Sequence, residues 1–469
     1  MPQLKLHQAF DRTVLLIVLV YGLVAILLTA GTTFALRIGP TLVLGLVTLA
    51  LILWRSRGRK FIGATPEQSI EWRMLCVMLC AGVAVRVAWW FLIQPVPWSD
   101  FQVYFGSAVH LLRFHEYRVP EAEGLLIAYR PPGTAFLLAM VMKITGTVAW
   151  APLLLNSLCF TGTGWLLWKA IRPKLTAAAA LGAVGLLAFW PSDVMYASLP
   201  QSESPSILGV ALLMFLLTRR QGRLNAWAVS ASLTTGLLCL VRNSSLVLAP
   251  LWMLAAIRNP LTFWHRLRIC AAIAVLTFLP ILPWTYRNFV QLGVPVLIAT
   301  NGGENLYSAN NDVTGGTWDS VSVGKVHAYL PDEIKMDHVA MQMAKEWIRS
   351  HPVGFAKLAV RKLRILMSGD DQGPHATLER GIGYTGRWLL VARAAANAWW
   401  LVLWGLVFTA MLCRSVWQRD PDTSLILALA AIPGLLFLVF QSQPRYHMPM
   451  VPPLVFLAGY ALAMKRQPG

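Results

Sequence analysis

An all-α, polytopic membrane fold follows from three observations. The 469 residues are 57% hydrophobic and 13% charged, with a mean hydropathy of +0.57, which is too apolar for a soluble chain of several domains. Apolar runs of roughly 15–24 residues recur from end to end, near the ~20 needed to cross a ~30 Å hydrocarbon core, and backbone groups in lipid are satisfied within helices. The basic residues gather in the connections between runs: Arg55, Arg57, Arg59 and Lys60; Arg172 and Lys174; Arg219, Arg220 and Arg223. A net charge of +19 placed this way marks cytoplasmic loops, not a nucleic-acid surface.

The elements can be taken in order. Residues 13–36 are long for a signal-peptide core and lack a cleavage site, so they are expected to remain as a helix. Residues 38–54 return, the basic loop "RSRGRK" stays in the cytoplasm, and residues 72–93 go out again, so Asp100 emerges on the non-cytoplasmic face. Counting back from Lys465 and Arg466 through runs 450–464, 424–440 and 388–412 puts Arg445 and the whole polar stretch 288–387 on that same face. The middle runs, 134–144, 150–168, 175–197, 206–217, 226–241, 246–257 and 268–284, cannot all be full crossings without exporting a basic cluster. Some are expected to be short or re-entrant, giving 11 to 13 transmembrane helices and leaving the side of Glu203 open.

Four parts result: two N-terminal helices (1–54), a transmembrane core (55–287) holding an external loop (95–130), a long external loop (288–387), and C-terminal helices (388–469). Within the first loop, Phe101, Tyr104, Phe105, Ala108, Leu111 and Leu112 share one helical face, which predicts an interfacial helix starting at Ser99 or Asp100. Lys357, Arg361 and Arg364 repeat the pattern in a second, basic helix. Cys76, Cys80, Cys159, Cys239, Cys270 and Cys413 lie in or beside apolar runs with no CxxC pair, so reduced buried thiols are expected. His110 and His115 are five apart and His447 stands alone, so no metal site is predicted.

Asp100 and the "RPPG" of Arg130–Gly133 both fall on the external face. Nucleotide-activated substrates are cytoplasmic, and no phosphate-loop or dinucleotide-binding pattern is present. An activated substrate must come through the membrane, and a lipid phosphate does so, with its tail between helices and its phosphate at the interface. Arginines can stabilise a departing phosphate by forked hydrogen bonds, and a carboxylate can take a proton from the acceptor. Against this stand plainer roles: Asp100 as a helix N-cap, Arg130 and Arg445 as lipid-headgroup contacts, and Glu203 as a capping acid.

The order "SDFQVY", "YRPPGTAFLLA", "FWPSDVMYASLPQSES", "PWTYRN", "TNGGENLYSANN", "PRYHMPMVPPLVFLAGYAL" resembles the GT-C superfamily of membrane glycosyltransferases, in its protein O-mannosyltransferase-like and aminoarabinose-transferase-like branch, from about Val83 onward. The resemblance implies a GT-C fold and a catalytic role for Asp100. It implies donor-phosphate contacts for Arg130, before Pro131 and Pro132, and for Arg445, with Tyr446 beside it. Tyr104, Tyr129, Glu203, Arg287, Asn301, Glu304, Asn305, Tyr446 and His447 are further substrate-binding candidates. The implied donor is a sugar on polyprenyl, most simply undecaprenyl, phosphate, with no other cofactor and no metal. The implied acceptor is lipid A, a surface glycan or a protein, met at the external face of a bacterial inner membrane through the external loops or the membrane face, in an assembly of open oligomeric state. Two features depart from the family: Phe101 stands where the protein mannosyltransferases carry a second acid, and residues 1–54 precede the family core. A lipid-linked sugar flippase or other transporter, or a non-catalytic part of an envelope polysaccharide machine, is the alternative.

Overall fold

A computed structural model describes residues 2–35, 59–61, 69–122, 124–219, 224–257, 262–412 and 422–466. The expected helix 38–54, together with Arg55, Arg57, Arg220, Arg223 and Cys413, lies outside the described residues. The rest is built of helices, with two short antiparallel strand pairs, so the all-α membrane architecture stands. Among the described residues three helices are long and apolar enough to span a bilayer: Gln8–Thr29, Ile70–Ile93 and Arg387–Met411. The pair Phe263–Phe278 and Leu282–Leu292, bent by 52°, makes a fourth if it is one broken span. Other apolar helices are shorter: Gly133–Thr145, Ala177–Ala188 and Glu203–Thr218 in the middle of the chain, where the basic clusters required short segments, and Thr423–Val439 near the C-terminus.

The N-terminal helix Pro2–Ala35, set apart from the core in the sequence, packs against Pro352–Met367, Arg387–Met411 and Thr423–Val439. Tyr21 Oη donates to the Ala431 carbonyl at 3.2 Å, and a Cβ on Gly434 would stand 2.5 Å from the Tyr21 side chain. A small residue is what lets two helices approach this closely where no water drives them together. Cys76 and Cys80, expected to be buried in protein, are exposed. They lie four apart, so they share an outward face of the span Ile70–Ile93, where the covering medium is lipid.

Two buried ion pairs tie the span Ile70–Ile93 to its neighbours. Arg86, fully buried in that span, pairs with Asp193 of the helix Pro191–Tyr196, donates to the carbonyls of Gly82 and Ala188 at 2.9 and 3.0 Å, and lies over the Phe160 ring at 3.7 Å. Arg172 grips Glu71 through two bonds of 2.6 and 3.0 Å. A buried charge left without its partner costs about 3–5 kcal/mol, whereas removing both partners together costs far less. Arg86→Leu should therefore lower the thermal stability of the protein in nanodiscs sharply, and adding Asp193→Leu should recover most of the loss. Equal melting temperatures for Arg86→Leu and wild type would refute this.

Outside the bundle, the expected interfacial helix runs from Asp100 to Phe114 and buries Phe101, Val103, Ser107 and Ala108. A second hydrophobic cluster joins Val103 and Ala108 to Tyr129, Met142, Leu306, Val326 and Met336, so this helix packs on the helices of the long polar stretch 288–387. The chain returns through a hairpin in which Val119 faces Leu126 and Glu121 faces Gly124. That return shortens the thirty residues between Asp100 and Arg130 to a contact.

Candidate active site

Asp100 is the first residue of its helix, and its carboxylate caps nothing. The preceding residue, Ser99, holds φ 49°, ψ −130° and makes no side-chain cap bond; Gln94, at the end of the span, also has a positive φ of 45°. Non-glycine residues hold such angles only where surrounding structure imposes them. The connection 95–98 is thus pinned at both ends, which turns Asp100 away from its own helix and towards two arginines.

One carboxylate oxygen of Asp100 meets Arg130 Nη1 at 2.9 Å, and the other accepts from Arg445 Nη2. The chain of charges continues both ways. Arg130 Nε and Nη2 each reach Glu121 at 3.3 Å. Arg445 Nε lies 3.7 Å from Glu203, which also accepts from Arg242 Nη1 at 3.3 Å. Three acids and three arginines alternate in one line and sum to zero. Burial alone would raise the Asp100 carboxyl, but Arg130 and Arg445, with a smaller push from Arg242, hold it well below the usual carboxylate range. The same contacts outweigh burial in raising Arg130 and Arg445, so all three groups are charged at physiological pH.

Glu203, whose side of the membrane the loops could not decide, therefore sits on the same cluster as Asp100. It is 2% exposed and starts the helix Glu203–Thr218, where a negative charge is favourable. Arg242 was missed by sequence reasoning. It follows the apolar helix Leu224–Val241 and read as one more basic residue at a helix end; its only signal was being a lone arginine away from the basic clusters. Its guanidinium covers the Tyr446 ring at 4.7 Å. The Tyr446 hydroxyl accepts from Gln441 at 2.8 Å, and Gln443 accepts from Arg445 Nε at 2.8 Å, so the turn Pro444–Met450 presents Arg445 in one orientation. Tyr104 also borders the cluster: burial, followed by Asp100, raises its phenol.

The "RPPG" motif has a packing reason. A Cβ on Gly133 would lie 2.8 Å from the backbone carbonyl of Leu240, at the end of the helix that leads to Arg242. Gly133→Ala must push these segments apart, loosening the registry of Arg130 with Asp100. We expect a drop in activity of roughly tenfold or more with a retained fold, since a displacement of about 1 Å at a reacting site can cost 10². Wild-type turnover in the alanine variant would remove this explanation.

The remaining candidates fall into a supporting layer. Tyr129 Oη donates to Glu304 and stands 3.1 Å from His327 Nε2, which is itself 3.3 Å from Glu304. Burial, then Glu304, pushes the Tyr129 phenol well up. Arg287 donates to the carbonyls of Ile127 and Tyr117 at 2.8 and 2.7 Å, while Glu333, also missed, accepts from the amides of Ile127 and Ala128 and from Thr300. These two hold the segment that leads from the strand Gly124–Leu126 to Arg130. Asn301 precedes the helix Gly302–Tyr307 without capping it, and Asn305 lies within that helix, half-exposed. His447 is fully buried, bonded to the Leu366 carbonyl at 3.0 Å and to Asp370 at 3.1 Å and stacked on Trp400 at 4.2 Å, so it braces the turn of Arg445 from behind. Among the described residues no three His, Cys, Asp or Glu side chains are grouped to hold a metal ion.

A buried lysine fixes the same turn. Lys362 Nζ donates to Asn310 Oδ1 at 2.7 Å and to the Val439 carbonyl at 2.9 Å, and its own carbonyl accepts from Ser442 Oγ at 3.0 Å. Burial lowers its ammonium to about 7, and the neutral amine still has two N–H donors for its two acceptors. Between that value and its ordinary one the unfolded chain binds the extra proton, so stability should rise as pH goes from 7 towards 10. Lys362→Met should flatten that rise in melting temperature; an unchanged slope would contradict it.

Residues 129–286 match the family model described as dolichyl-phosphate-mannose-protein mannosyltransferase. The segment includes Arg130, Glu203 and Arg242, and the resemblance to GT-C glycosyltransferases of the mannosyltransferase-like branch is borne out by it. Asp100 and Arg445 lie on either side. No curated protein matches the chain. Among solved structures it is similar to the oligosaccharyltransferase AglB of the archaeon Archaeoglobus fulgidus, in complex with an inhibitory peptide and a dolichol-phosphate, at 14% identity and a TM-score of 0.49, covering 84% of this chain and 50% of that one. It is also similar to ArnT from Cupriavidus metallidurans bound to undecaprenyl phosphate, at 14% identity and a TM-score of 0.44, covering 84% and 78%. The chain spans about half the length of the archaeal oligosaccharyltransferase.

Proposed function

We propose that this protein is a membrane glycosyltransferase that moves a sugar from a polyprenyl phosphate, undecaprenyl phosphate in a bacterial inner membrane, to an acceptor on the external face. The observation that carries the reading is the carboxylate of Asp100 held between Arg130 and Arg445, where a helix start, a loop and a C-terminal turn converge. The mannosyltransferase family match over residues 129–286 supports it independently.

The charge balance suggests how the site works. An entering donor brings one negative charge on its phosphodiester, and the guanidinium forks of Arg130 and Arg445 can turn to its oxygens. Each hydrogen bond transferred to phosphate leaves Asp100 less stabilised as an anion, so its basicity rises when the donor is in place. Asp100 then takes the proton of the acceptor hydroxyl or amine as that atom bonds to the sugar C1. The C1–O bond breaks with its electron pair on the lipid phosphate, and the configuration at C1 inverts. The phosphate gains a second negative charge as it leaves, and the arginines stabilise it most at that point. Glu203 keeps Arg445 and Arg242 from collapsing onto Asp100.

The test is product analysis with purified protein and a radiolabelled polyprenyl-phosphate sugar. An enzyme releases free polyprenyl phosphate with transfer of the label. A transporter moves the lipid unchanged and a scaffold leaves it untouched; either result sinks the proposal.

A further inference from the structure

The external loop carries a cleft separate from the arginine cluster. It is about 270 Å³ in volume, close to the lower limit of roughly 300 Å³ for small-molecule pockets and sufficient for a short polar ligand. Tyr307 and Trp347 give it aromatic walls, while Asp312, Glu346, Asn311 and Lys325 supply polar groups. The groups are held in place. Trp347 stacks on His351 at 5.2 Å and donates its indole N–H to Asp312 at 2.7 Å. Gln342 donates to Glu346 at 2.8 Å. Asn311 is locked by its own turn, donating to the Tyr307 carbonyl and accepting from the amides of Val313 and Thr314.

We infer that this cleft is a subsite for a neutral glycan acceptor. Sugars combine an apolar C–H face, which packs on aromatic rings, with hydroxyls that each donate and accept. Fixed indole and phenol rings beside two carboxylates offer both kinds of contact. The exposed pair Asp312 and Glu346 against the single Lys325 leaves the cleft net negative, which disfavours phosphorylated or carboxylated ligands. None of the lining residues belongs to the charged line around Asp100, so the cleft binds units of the acceptor remote from the reacting group. It is nevertheless coupled to that line: the helix Gly302–Tyr307 carries Tyr307 on the cleft wall and, one turn earlier, Glu304 bonded to Tyr129 beside Arg130. The word acceptor rests on the glycosyltransferase reading; the sugar binding does not.

The experiment measures binding of neutral gluco-, manno- and N-acetylglucosamine tetrasaccharides to the full chain in nanodiscs by saturation-transfer NMR, with no donor present. At least one should bind, and Trp347→Ala should weaken it tenfold or more. Glu346→Ala, at an exposed side chain that risks no unfolding, should weaken it about threefold to tenfold. Polyprenyl-phosphate binding in both variants should equal wild type. Absence of binding by every tetrasaccharide, undiminished binding in both variants, or binding of anionic oligosaccharides alone would each overturn the inference. Loss of the donor reading would instead show as failure of wild-type protein to bind or cleave polyprenyl-phosphate sugar, a separate measurement.

Discussion

Asp100→Asn is expected to cut transfer by roughly 10²–10⁴-fold, the range that a positioned general base contributes, while leaving the fold and donor binding intact. The amide keeps the shape of the carboxylate but takes up no proton. It also releases Arg130 and Arg445, each bonded to one oxygen of the native side chain, so their donors turn to phosphate without competition. Polyprenyl-phosphate affinity should therefore stay level or rise as turnover collapses. That opposite movement separates a catalytic acid from a structural one, whose loss would lower both. Near wild-type transfer by purified Asp100→Asn protein would end the assignment.

Arg130→Ala should have the second largest effect, a loss of roughly 10²–10³ in turnover, comparable to removing one preorganised donor from an oxyanion site. The guanidinium contacts both Asp100 and Glu121, and its removal leaves two acids facing one fewer cation. The Asp100 carboxyl should then move up towards its ordinary range, because one of the charges that lower it is gone. Arg130→Lys should recover part of the activity, since lysine restores the charge but not the fork. Full activity in Arg130→Ala would show that the arginine merely meets lipid headgroups.

Much of this was legible in the chain. Hydropathy and basic clusters gave helices and the expectation that Asp100 and Arg445 share a side, and the two are in contact. The "RPPG" motif drew attention to Arg130, and the resemblance gave it a partner. Other features left no trace. Arg242 looks like any basic residue at a helix end, and Glu333 like any acid in a polar loop, because pairing with Glu203 across 39 residues, or with the amides of Ile127 and Ala128 across more than two hundred, has no local period. Arg287 was a substrate candidate, yet it donates to the carbonyls of Ile127 and Tyr117 and to its neighbour Asn288, and no sequence pattern records the two carbonyls.

The sequence by itself determined that this is a helical membrane protein, because burying apolar length in lipid leaves few alternatives. Only the tertiary structure decided that Asp100 is not a helix cap, that Glu203 and Arg242 join the same line of charges, and that Gly133 keeps Arg130 in register. The physical reason is distance. Composition and periodicity fix what each segment prefers, while a carboxylate's basicity depends on charges within about 4–6 Å, here brought to Asp100 by Arg130 through the fold of one loop and by Arg445 from the far end of the chain.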